Sequence, residues 1–157
     1  MGILTHYFAA TDDETAAACA AHPDGPGDDR EPARTTVPGT HDAVPLSGLE
    51  PFVMLGTLAS MLTGRTYGEV TRHPRHGGVV ASAGDEGPWV VSVSDELVGA
   101  LAMSTRTVLE RVADRWATPS ERSRREPEQL AGALHELAEL CARAREAGHR
   151  VYCWTCL

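Results

Sequence analysis

Lysine is missing from this chain. All 14 basic residues are arginine, and they face 22 acidic residues, for a net charge of −8 at neutral pH. Uniform arginine alongside abundant Ala, Gly and Pro is the usage of a GC-rich genome and implies no special task for the planar guanidinium. The acidic balance opposes a phosphate backbone, so nucleic acid is not an expected partner. Long apolar runs are missing as well: the best, Phe52 to Leu62, falls short of the ~18–20 residues of a membrane span, and no membrane association is expected. The N-terminus lacks a charged region followed by an apolar one, so the four cysteines, Cys19, Cys141, Cys153 and Cys156, are expected to be reduced in the cytoplasm. Aromatic residues number only eight, which gives no support to an aromatic recognition groove and places Trp89, Trp116 and Trp154 in or near the core. There is no Gly-rich phosphate loop, no G-x-S-x-G elbow, no H-E-x-x-H and no carboxylate pair set among apolar helix positions, so no cofactor is expected and no reaction is named.

What is present describes one domain. A chain of 157 residues buries roughly 70% of its unfolded surface, enough for a core without disulfide or metal staples. Ile3 to Phe8 has the β-branched and aromatic content of a strand covered on both faces. Thr11-Asp12-Asp13-Glu14 has the spacing of a capping box and predicts an Ala-rich helix from about Asp12 to Ala21, ended by Pro23. Residues His22 to Ser47 are rich in Pro, Gly and Asp without periodicity, and are expected to form a mobile excursion. Ser47-Gly48-Leu49-Glu50 followed by Pro51 predicts a second helix, running to Gly64 and apolar over most of its circumference, which should be the central core helix. A turn of helix at Thr66 to Val70 precedes the loop Arg72-His73-Pro74-Arg75-His76-Gly77-Gly78. Val79 and Val80 are too few to name a strand, whereas Pro88 to Val93 reads clearly as one. Ser94 caps a short helix through Leu97, Val98, Leu101 and Met103, and Val108, Leu109, Val112 and Trp116 carry another. Thr118-Pro119-Ser120-Glu121 is a third capping box.

The long helix is the most regular signal. From about Pro127 to Ala147, Leu130, Leu134, Leu137, Cys141 and Ala144 recur at spacings of 4, 3, 4 and 3 and share one face, with Gly148 as the stop. On the opposite face Glu139 and Arg143 stand in the favourable i,i+4 order. Val151-Tyr152-Cys153-Trp154-Thr155-Cys156-Leu157 then reads as a buried strand, because exposing Val, Tyr, Trp and Leu together would leave a sticky patch.

In this arrangement the chain resembles the YfbM-like family of small bacterial α+β proteins. The likeness rests on the opening Met1-Gly2 with its strand to Phe8, the Leu62-Thr63-Gly64 helix end, the strand and capped helix from Trp89 to Leu101, and Ala144-Arg145-Glu146-Ala147-Gly148 leading into the terminal strand. It implies the fold and no activity, since none is assigned to that family. Where a Trp-His pair often opens the core helix in that family, Phe52-Val53-Met54 stand here, so no role for that histidine carries over.

The expected fold is therefore a single α+β domain, in which a small sheet of N-terminal, middle and C-terminal strands is packed by a core helix and a long C-terminal helix. Cys153 and Cys156 invite a metal or redox reading, but residues three apart in a strand point to opposite faces and cannot share an ion or join in a disulfide. No helix follows the pair to lower a thiol pKa, and a closed zinc site needs more ligands than one Cys-x-x-Cys supplies, with His149 the nearest addition. No metal is expected; Cys153, Cys156 and His149 are the candidates should one bind. Arg72, His73, Arg75 and His76 are the densest basic cluster and the candidate interaction surface for an acidic partner or anion, against the plainer reading of a solvated loop. His6 and His135 are expected to be packing residues, and Asp12, Asp13 and Glu14 helix-start residues. The leading functional expectation is a non-enzymatic cytoplasmic binding or accessory protein with a protein partner. The alternative is a metal-binding or thiol-dependent protein or enzyme that uses the C-terminal Cys-x-x-Cys.

Overall fold

The last strand in the sequence is the middle strand of the sheet. The computed structural model describes residues 4–21, 27–28, 40–46, 48–116 and 127–156. Along the chain these form β1 (Leu4–Ala10), α1 (Asp13–Ala17, prolonged by a 3-10 turn at Ala18–Ala21), β2 (Gly27–Asp28), β3 (Thr40–His41), β4 (Ala43–Pro45), α2 (Val53–Thr63) and α3 (Tyr67–Thr71). They continue with β5 (Val79–Ser82), β6 (Trp89–Ser92), α4 (Asp95–Met103), α5 (Arg106–Trp116), α6 (Pro127–Glu146) and β7 (Arg150–Cys156). Five strands make one sheet in the order β4-β1-β7-β6-β5, all neighbours antiparallel. The chain is a single α+β domain with a long C-terminal helix.

β7 is paired along its whole length by β1, from Leu4 opposite Cys156 to Ala10 opposite Arg150. On its other side β6 pairs from Trp89 opposite Thr155 to Ser92 opposite Tyr152. Because side chains alternate along a strand, β7 feeds two separate cores. Val151 and Cys153 join Tyr7, Val91 and the apolar stripes of α2, α4, α5 and α6. Tyr152 and Trp154 join Phe8, Val90 and the small residues Ala16, Cys19 and Ala20 of α1 and its 3-10 turn. The heavy layer of helices lies on one face and a light one on the other.

The predicted seam of α6 is the centre of the larger core: Leu134, Leu137 and Cys141 are fully buried, with Leu140 beside them. That position had been expected of α2. Instead α2 is peripheral, with Leu55 and Leu58 buried but Phe52 and Val53 left 44% and 62% exposed. A helix apolar nearly all round has more greasy surface than one neighbour can cover, and here the excess faces outward. Its start also differs from expectation. Ser47 lies outside the described residues, and the helix begins at Val53, where the Glu50 carboxylate accepts from the amides of Phe52 (2.9 Å) and Met54. Likewise Asp12, not Thr11, caps α1, accepting from the Thr15 amide at 2.8 Å.

Within the stretch expected to be a mobile excursion, 22–47, residues 40–46 are ordered parts of the domain. Ala43, Val44 and Leu46 are buried, and β4 pairs with β1. The Thr5 hydroxyl donates to the Leu46 carbonyl at 2.5 Å, and Arg143 grips Asp42 with two bonds, of 2.6 and 3.1 Å. Arg143 was expected to pair with Glu139 on its own helix. The fork-shaped guanidinium gains more from a bidentate carboxylate than from an exposed i,i+4 neighbour. Gly27–Asp28 is also described, as β2 paired in parallel with β3; the remainder of the expected excursion and the third capping box lie outside the described residues. The Thr66–Glu69 capping box, which was not anticipated, opens α3, and Val79–Ser82 is long enough to be a strand after all.

Trp154 and Cys156, on the same face of β7, make a testable contrast. Trp154 is 1% exposed, and replacing it by Ala should cost about 3–5 kcal/mol through lost burial and the cavity left behind. Cys156→Ser, at the half-exposed end of the strand, should cost less than about 1 kcal/mol. Urea unfolding of both variants checks this, and equal losses would place Trp154 outside the core.

Candidate functional site

The residues singled out by sequence are dispersed by the fold, and a different cluster is assembled. Cys153 sits in the large core and Cys156 packs against the small one, on opposite faces of β7. His149 lies in the turn before β7, seven residues from Cys156 along a strand that rises about 3.3 Å per residue, so the three candidate ligands do not converge. Among the described residues no three His, Cys, Asp or Glu side chains are grouped to hold a metal ion. None of the four thiols is joined to another. Burial pushes the Cys19 thiol up to about 11 and the Cys141 thiol up to about 12, and it raises Cys153 further. A thiol that resists ionisation is a poor nucleophile and a poor metal ligand.

The basic loop between α3 and β5 splits three ways. Arg72 and His73 face solvent. Arg75 turns inward to Asp13, its Nη1 lying 3.1 and 3.2 Å from the two carboxylate oxygens. The His76 ring nitrogen stands 2.9 Å from the Phe52 carbonyl. The expected four-residue basic surface is thus reduced to Arg72 and His73.

Asp13, expected only as a helix-start residue, is the hub of the inward cluster. It also accepts a 2.7 Å bond from the Tyr152 hydroxyl, and the Arg75 guanidinium carbon stands 5.7 Å from the centre of the Tyr152 ring, a cation–π arrangement. The hydrogen bond from Tyr152 and the charge of Arg75 hold the Asp13 carboxyl below its ordinary range. Burial and the bond to Asp13 push Tyr152 up to about 12. Burial acts to lower the Arg75 pKa, but Asp13 outweighs it. The sequence separations are 62 and 139 residues, so only the folded sheet brings these groups together. They stand beside an open cleft of about 390 Å³ lined by Asp13, Glu14, Arg75, Gly78, Val80 and Ser92. The Ser92 hydroxyl donates to the Arg75 carbonyl at 2.8 Å and so braces the loop. A second hollow of about 550 Å³ between α5 and α6 is edged by the ion pair Arg106–Glu110 (3.1 Å) and by His135, whose Nε2 lies 3.3 Å from the Glu139 carboxylate.

One surface feature escaped the sequence reading. Of the eight aromatic residues, Phe52 and Tyr67 are the large exposed ones, at 44% and 43%, Phe52 just before α2 and Tyr67 at the start of α3. Glycines make room for both rings: a β-carbon on Gly56 would stand 2.8 Å from the Tyr67 ring, and one on Gly77 would stand 2.6 Å from that of Phe52. His76 packs against the start of α2: its ring nitrogen lies 2.9 Å from the Phe52 carbonyl and would stand 3.3 Å from a β-carbon on Gly56. Phe52, Val53 and Tyr67 thus leave apolar surface exposed on α2 and α3.

No family model, no curated protein and no solved structure matches this chain. Among the described residues no helix is long and apolar enough to cross a membrane.

The thiol order is directly measurable. At mild pH a thiol reagent should label the half-exposed Cys156 first, and should label Cys141 and Cys153 only on unfolding. A raised folded-state pKa favours the neutral thiol, so this contribution to stability is intact below the ordinary value of 9.0 and is lost as pH rises toward about 12 for Cys141. Rapid native labelling of Cys141 would remove it from the seam.

Proposed function

We propose that this is a cytoplasmic, non-enzymatic binding or accessory protein, akin to the YfbM-like family in architecture, whose recognition surface is the patch of Phe52, Val53 and Tyr67. The observation that carries the reading is the exposure of two aromatic rings, Phe52 and Tyr67, on the packed helices α2 and α3, in a chain that buries nearly all its others. Exposed aromatic clusters are typical of interface centres, where a large rigid side chain gives much contact area for little lost entropy. The partner is a polypeptide presenting an apolar anchor ringed by polar groups.

The absence of poised chemistry at the cleft supports binding over catalysis. General acid–base work favours groups that titrate near the operating pH, whereas Asp13 is held ionised, and Tyr152 and the buried thiols are held neutral. The unpaired, buried thiols accord with a reducing compartment.

A photo-crosslinking residue placed at Val53 should capture a discrete partner from the native cytoplasm. Phe52→Ser with Tyr67→Ser should abolish that capture or weaken it at least tenfold, while stability changes by no more than about 1 kcal/mol, since both rings are half exposed. Capture that survives the double substitution unchanged would refute the assignment of the surface.

A further inference from the structure

The outer edge of β5 is the one place where the sheet is neither blocked nor covered by the described residues. Val79-Val80-Ala81-Ser82 has no charge and no proline, Val79 is 65% exposed, and no described residue reaches its outer side with a backbone hydrogen bond. Proteins usually protect such an edge with charge, proline or a covering segment. The opposite edge is protected: β4 ends in Pro45, and its approach is tied down by the Asp42–Arg143 pair. The register shift between Val79 and Ala81 shortens the regular ladder that β5 can offer, so backbone bonding alone would fix a partner strand's register poorly.

The charges flanking the strand supply what the ladder lacks. Six and seven residues before β5, beyond the turn in which the His76 amide donates to the His73 carbonyl, His73 and Arg72 are exposed, the His73 Nδ1 accepting from the Arg75 amide at 3.1 Å; three and four residues after β5, Asp85 and Glu86 are exposed. None of the four has an ion-pair partner within the described chain. A neutral strand with a basic loop at one end and an acidic turn at the other is complementary to itself in one orientation only. Antiparallel pairing lays the basic end of one copy beside the acidic end of the next, twice over, whereas parallel pairing sets like charge against like.

We propose that the protein forms a two-fold symmetric homodimer by antiparallel pairing of the β5 edges, with Arg72 and His73 of each copy facing Asp85 and Glu86 of the other. The contact is isologous and closes after two copies, joining the two five-stranded sheets into one of ten strands. Arg75, drawn inward to Asp13 at 3.1 Å, and Ser92, bonded to the Arg75 carbonyl, hold the basic loop in place for its partner. A four-residue strand buries less than the about 1,200 Å² of a standard interface. The dimer is therefore dependent on concentration, and its charge pairs at the rim make it weaken as salt screens them.

Sedimentation velocity of the full chain over a dilution series, at about 0.05 M and about 0.5 M salt, tests this. The expected result is a monomer–dimer equilibrium that shifts toward monomer with salt. Asp85→Arg with Glu86→Arg should raise the dissociation constant at least tenfold at low salt. Adding Arg72→Glu and His73→Glu to the same chain swaps both ends, restores complementarity and should restore the dimer. Val79→Lys should weaken it independently of the swap. All five positions are exposed, and circular dichroism confirms that each variant is folded. A wild-type chain that remains monomeric throughout, a dimer indifferent to the charge reversal, or a fourfold variant that fails to re-form the dimer overturns the proposal.

Discussion

Both cores of this fold are built on β7. It is hydrogen-bonded on both sides, by β1 along its full length and by β6 along four residues, and Val151 to Thr155 are all buried. Its alternating side chains supply the large helical core with Val151 and Cys153 and the small core with Tyr152 and Trp154. The strand that comes last in the chain must therefore be in place before either layer is complete. Its two strand partners, β1 and β6, both lie far from it in sequence, so pairing them closes long loops.

That same strand explains why the terminal Cys-x-x-Cys is chemically silent. The pleat sends Cys153 to one face and Cys156 to the other, and burial holds the former neutral. The residue of this strand that does make a polar connection is Tyr152, just before Cys153, whose hydroxyl emerges at the margin of the small core to meet Asp13. Through Asp13, one end of β7 positions Arg75, and through Arg75 and Ser92 it sets the loop that leads into the β5 edge. Core and surface are thus coupled by three polar side chains contributed by a helix start, a loop and a central strand.

The elements with a strong period were legible in the sequence. The α6 seam follows from a spacing near 3.6 and the opposite orientation of Cys153 and Cys156 from the alternation of a strand, while the strands of Ile3 to Phe8 and Pro88 to Val93 show in their β-branched and aromatic content. What was illegible depends on distance along the chain. Ala43–Pro45 is too short and too rich in turn-forming neighbours to show as a strand, and becomes one because β1 needs a partner. Asp13 looks like any helix-start carboxylate until Arg75 and Tyr152 arrive from 62 and 139 residues away. The exposure of Phe52 was hidden because an apolar helix does not reveal which side its neighbours cover. In each case the missing information was tertiary, and the local pattern was compatible with more than one outcome.

Native-state hydrogen exchange of the β7 amides tests this account most directly. If β7 is the strand on which both cores depend, the amides of Val151 to Thr155 should exchange only through global unfolding. Their protection should equal the full unfolding free energy and should fall one for one with added denaturant. Exchange of these amides through a cheaper opening, at a protection below that of the α6 seam, would show that the terminal strand detaches while the domain stays folded, and would contradict the account.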